Sequence, residues 1–139
     1  MDIISLLDKC KYIENNVDFE PNIIFTHYPQ CLNIDHEQVY RATVTVFRPQ
    51  TKLNQTILSY AIPSSTDYNP RATFRGNVYY DVTTTYQTKL DCLRENYDAE
   101  MRNSPHSRSY ENIENLMKVT GAEVGVKYAE KFELIRSVR

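Results

Sequence analysis

Two hydrophobic periods alternate along this chain, one helical and one of period two, and they predict its elements in order. Residues 2–14 place Ile3, Leu6, Leu7, Cys10 and Ile13 on one side at helical spacing behind Asp2 as a capping side chain, which predicts an amphipathic helix ended by Asn15 and Asn16. "NIIFTHY" at 22–28 predicts a short strand, and "PQCLNIDHEQ" a polar loop after it. In 38–47, Tyr40, Ala42, Val44 and Val46 alternate with Arg41, Thr43, Thr45 and Phe47. That alternation predicts a strand with one core face and one Thr-rich face, closed by Pro49.

Residues 51–62 carry both periods, since Leu53, Ile57 and Ala61 recur at helical spacing while Leu58, Tyr60 and Ile62 alternate; β-branched and aromatic content favours a strand. "PSSTDYNPR" at 63–71 has two prolines in a Ser/Asp/Asn cluster and predicts a mobile, partner-contacting loop. Residues 77–86 alternate again, and from Tyr86 the spacing of Leu90, Leu93 and Tyr97 predicts a helix over about 86–101 grown directly from the strand. A second helix is predicted over about 110–119, with Ser109 as cap, Ile113, Leu116 and Met117 as its face, and Gly121 just after its end. Alternation through Val124, Val126, Tyr128, Phe132 and Leu134 predicts a C-terminal strand or a hairpin about Ala129–Lys131. The sum is a single α+β domain over 1–139, a mostly antiparallel sheet of four to six strands with the helices packed on one face.

Composition narrows the function more than the fold. The chain has 139 residues, 41% apolar and 24% charged, ordinary for a globular domain long enough to bury a core. A net charge of −2 argues against a protein that coats nucleic acid with a basic face. No apolar run reaches membrane-spanning length and the N-terminal stretch is interrupted by Asp2, Asp8 and Lys9, so the expectation is an intracellular, cytoplasmic protein, a virion component included. Cys10, Cys31 and Cys92 are odd in number and unpaired in spacing, as reduced thiols are. Eleven tyrosines, no tryptophan and many Asn and Thr suggest a polar, adhesive surface, with AT-rich coding an equal explanation.

Candidate chemistry is sparse. His27, Cys31 and His36, with Asp35, are zinc-ligand types in H-x3-C-x4-H spacing, but a structural zinc site is built from tight ligand pairs and the expectation is no metal. A Cys/His nucleophile assembled from Cys31 or Cys92 with His106 has no spacing to support it, and Cys92 between Leu90 and Leu93 reads as a small buried hydrophobe. Glu95, Asp98 and Glu100 read as a solvated helix face. Glycine at 76, 121 and 125 alone leaves no phosphate-binding loop, so no nucleotide cofactor is expected. Two stretches mix arginine with aromatics: Tyr68, Arg71, Phe74 and Arg75, and Arg102, His106, Arg108 and Tyr110.

These features point to a non-enzymatic structural or assembly subunit whose partners are other protein subunits, in a homo-oligomer or larger assembly. The Thr-rich second sheet face reads either as a solvated surface or as a subunit contact; the interface expected in the second case comprises Arg41, Thr43 and Thr45 on that face, with Tyr68, Arg71, Phe74 and Arg75 in the loop. An accessory nucleic-acid-binding protein using its Arg/aromatic loops stands second, and a small enzyme without a recognisable motif third. The element order is similar to small ring-forming virion assembly proteins and to ferredoxin-like linking modules, an analogy of architecture that fixes no residue.

Overall fold

The computed structural model of the chain describes residues 4–49 and 54–139. It is α+β, with four α-helices and four strands among the described residues, and it divides into two compact units, Met1–Arg75 with Glu133–Arg139, and Gly76–Phe132. Helix α1 covers Leu6–Asn16, β1 Ile23–His27, α2 Ile34–Val46, β2 Gln55–Tyr60, β3 Val78–Asp81, α3 Tyr86–Asn96, α4 Tyr110–Val124 and β4 Ala129–Val138. The strand order is β1-β2-β4-β3, with β1/β2 parallel and the other two pairs antiparallel, so the mostly antiparallel sheet expected is a mixed one.

In the first unit α1 starts on Ser5, whose hydroxyl oxygen accepts the Asp8 N–H at 3.1 Å. The predicted cap Asp2, like Ile3, lies outside the described residues. Cys10 is buried against α2, Leu6 and Ile13 are half-buried, and Leu7, expected in the core, faces outward.

The main correction concerns 38–47, which is not a strand but the body of α2. Asn33 caps it, its side-chain oxygen accepting the Asp35 N–H at 2.9 Å, and Asp35 and Glu37 lie in the first turn where the helix dipole favours carboxylates. The β-branched threonines are accommodated by bonding back one turn: Thr43 Oγ1 donates to Val39 O at 2.8 Å and Thr45 Oγ1 to Arg41 O at 2.7 Å. The parallel pairing of β1 with β2 requires such a crossover between them. On a helix, Arg41 and Thr45 sit one turn apart on the outer side while Thr43 turns inward, where it is buried and meets Thr26 Oγ1 at 3.3 Å. The flat Arg41/Thr43/Thr45 sheet face does not exist.

Strand β2 confirms the strand expected in 51–62, residues 51–53 lying outside the described part. Ile24 pairs with Ile57 and Thr26 with Ser59, and these four buried residues make the inner side of the parallel pair.

In the second unit α3 is shorter than predicted and is followed by a 3-10 turn, Asp98–Glu100. Helix α4 begins on Ser109 as predicted but runs past Gly121; the residue that ends it is Gly125, at φ 76°. A Cβ on Gly121 would lie 2.6 Å from Val126 O, so Gly121 serves the close return of the chain. Val124 therefore belongs to α4, and β4 is a single ten-residue strand, not the hairpin that the alternation also allows. The core of this unit is Leu90, Ile113, Met117 and Tyr128, flanked by Val82, Tyr86, Leu93 and Met101. Among the described residues, no helix is long and apolar enough to cross a membrane.

Candidate functional site

The expected interface residues separate into different environments. Arg41 and Thr45 are exposed on α2, and Thr43 is buried. Of the 63–76 segment, Tyr68, Arg71 and Arg75 are exposed, while Phe74 packs edge-on against Tyr28 with ring centroids 5.3 Å apart. The segment is held down at several points. Tyr28 donates its phenol hydrogen to Thr73 O at 3.3 Å, Asn69 Nδ2 donates to Gln30 O at 2.9 Å, and Leu32 N–H donates to Ser65 O at 3.2 Å. In the second unit, Arg102 spends its guanidinium on the carbonyls of Ala99, Glu100 and Met101, and Arg108 approaches Glu100 at 3.5 Å. The basic 102–110 stretch is thus folded on itself. Glu95, Asp98 and Glu100 are exposed as expected, whereas Cys92 is exposed, not the buried hydrophobe predicted.

The structure does gather the one constellation whose spacing looked unpromising. His27 ends β1, Cys31 lies in the following turn and His36 falls in the first turn of α2, so the short β1–α2 connection folds the three together. The His27 and His36 rings stack, 4.1 Å apart and 17° from parallel. Cys31 Sγ lies 3.1 Å from His36 Nδ1, 2.9 Å from Ser65 Oγ and 3.5 Å from Thr66 Oγ1. Tyr60 OH approaches His27 Nε2 at 3.4 Å, and His27 Nδ1 is buried with no hydrogen-bond partner among the described residues. His106, the other histidine considered for a thiol, lies in the second unit and its Nδ1 accepts the Arg108 N–H at 3.0 Å.

Burial holds both imidazoles of the pair below the ordinary histidine range. Each ring's neighbourhood adds to this differently, since His36 repels a proton on His27 while Asp35 partly favours one on His36. Both rings are therefore neutral at pH 7. Nearly parallel rings cannot both aim their in-plane lone pairs at one ion, and no group of three ligand side chains among the described residues is arranged to hold a metal. What the cluster offers is a thiol set among hydroxyl and imidazole groups. The sequence signal for it was the order His-x3-Cys-x4-His across a strand end and a helix start; Ser65 and Thr66, from a distant loop, gave none. No protein-family model matches the chain, and no curated protein matches it.

Proposed function

We propose that this protein is a non-enzymatic assembly subunit that works by contact with other protein subunits, first with further copies of itself. One observation carries the reading: Ile4, Leu7, Tyr12, Phe19, Leu32 and Ile34 are each more than half exposed, from 53% to 71%. Single exposed apolar residues are ordinary, but six large ones within the first 34 positions are the composition of a surface that excludes water on association. A net charge of only −2 offers little repulsion between copies. Arg41 and Thr45 on the outer side of α2, with Tyr68, Arg71 and Arg75, supply polar groups of the kind found at an interface rim.

Sedimentation equilibrium tests it. A closed oligomer is expected at micromolar concentration, reduced to a folded monomer by the double substitution Leu7→Lys and Ile34→Lys. A wild-type chain that sediments as a monomer would defeat the proposal, and a salt-dependent shift with single-stranded DNA would move the assignment to nucleic-acid binding.

A further inference from the structure

Structural thiols lie in apolar surroundings; the Cys31 sulfur instead has three polar neighbours, although the residue is only 8% exposed. The direction of its contact with His36 follows from the helix cap. Asn33 commits its side-chain oxygen to the Asp35 N–H at 2.9 Å, which turns its amide nitrogen toward His36 Nε2 at 3.3 Å. An amide N–H facing Nε2 requires that nitrogen to be an acceptor, so the proton of neutral His36 sits on Nδ1 and points at the sulfur. Thr66 Oγ1 accepts the Ile62 N–H at 2.9 Å, which leaves its own hydrogen for Cys31. Ser65 Oγ receives the thiol hydrogen and can rotate to donate once that hydrogen is gone. Three donors can therefore converge on one sulfur, beside the positive end of α2.

We propose that Cys31 is a nucleophilic thiol and a site of oxidation by small hydroperoxides, with His36, Ser65 and Thr66 as positioning residues that stabilise charge on its sulfur. In the reaction a sulfur lone pair bonds to one peroxide oxygen as the O–O bond breaks. The thiol proton leaves by way of Ser65 Oγ and joins the departing oxygen, giving water from hydrogen peroxide or an alcohol from an alkyl hydroperoxide. Sulfur ends as a sulfenic acid, oxidised by two electrons, and the peroxide is reduced by two. The slight exposure of Cys31 selects for oxidants of this size.

The intact chain contains its own controls: Cys92 is exposed on α3, and Cys10 is buried with a single long contact, 3.9 Å to Ala42 O. Dilute hydrogen peroxide at neutral pH, with samples quenched at intervals into denaturant containing dimedone and read by peptide mass spectrometry, gives the three rates in one experiment. Exposure alone places Cys92 first. The proposal places Cys31 first, by about tenfold or more, the scale of one charge-assisted hydrogen bond. His36→Ala should slow Cys31 alone, and His36→Asn, whose side-chain N–H can stand where Nδ1–H does, should restore it; Thr66→Val gives an independent second variant if His36→Ala does not fold. Modification of Cys92 before Cys31, or an unchanged Cys31 rate in folded His36→Ala or Thr66→Val, would overturn the assignment.

Discussion

Each unit gathers polar side chains about one buried residue, Cys31 in the first and Tyr128 in the second, and the two knots are tied differently. In the second unit the phenol of Tyr128 donates to Glu114 at 3.2 Å, Glu114 pairs with Lys118 at 2.8 Å, Tyr86 stacks on the Tyr128 ring at 3.8 Å, and Lys127 lies 5.5 Å from its centroid. Burial, reinforced by Tyr86 and Glu114, pushes the Tyr128 phenol up to about 12, while Lys118 holds the Glu114 carboxyl below its usual range. Nothing in that knot changes charge near neutrality. In the first unit, His27 and His36 are held neutral by burial, with His36 further disfavouring a proton on His27, and their ordinary titration lies close to physiological pH. One knot is buffered by opposite charges, the other poised by withheld ones. The lesson is that a polar cluster can be made indifferent to pH by pairing opposite charges or responsive to it by keeping imidazoles neutral.

The largest test removes apolar support from the indifferent knot. Leu90, 2% exposed, packs with Met117 and Tyr128, so Leu90→Ala should cost about 2–5 kcal/mol. Amide exchange should accelerate through α3 and α4; slow exchange there, with unchanged stability, would show that the Tyr128 knot stands without its core.

The second test is acidification. A histidine whose native pKa is lowered takes up protons on unfolding, so the stability it contributes is complete above the unfolded value of about 6.5 and is lost as pH falls below that toward the native values. The melting temperature should fall as pH drops below about 6.5, and the double variant His27→Phe with His36→Asn should flatten that limb. Tyr128 has the opposite sense: its raised pKa contributes stability that is complete below about pH 10 and lost as pH rises toward 12. An acid limb that survives removal of both histidines would assign the response to carboxylates instead.

The smallest effect separates two threonines of α2. Thr43→Val removes the buried bond to Thr26 and should cost about 1 kcal/mol, whereas Thr45→Val on the outer side should stay within about 0.5 kcal/mol. Equal costs in urea titrations would contradict the helical placement of the two.

How far the sequence could be read depends on which signal dominated locally. In α4 a serine cap, a 3.6-residue apolar period and little β-branching agreed, and the helix was legible apart from its end, where Gly121 resembled a terminator but is required by the close return of the chain at Val126. In α2 the signals conflicted. Val44, Thr45 and Val46 speak for a strand, and the cap at Asn33 with acidic residues behind it speaks for a helix. Val39, Ala42, Thr43 and Val46 also fit helical spacing, and burial of Ala42 and Thr43 overrode the propensity. With that helix misread, the parallel β1/β2 pair lost its crossover and was invisible too. The thiol cluster was half legible: three of its members lie within ten residues, but Ser65 and Thr66 arrive only through the fold.

Strand β4 has a consequence for how the gene can change length. Its residues 129–132 are in register with β3 and its residues 133–138 with β2. Because side chains alternate, an insertion or deletion of one residue would turn a whole stretch of strand inside out. Ile135 is the exception: Leu58 faces Leu134 while Ile57 faces Arg136, so Ile135 is the spare residue of a bulge. Losing it would leave both registers intact, which makes this bulge the position in β4 where a codon can be lost without misaligning either ladder.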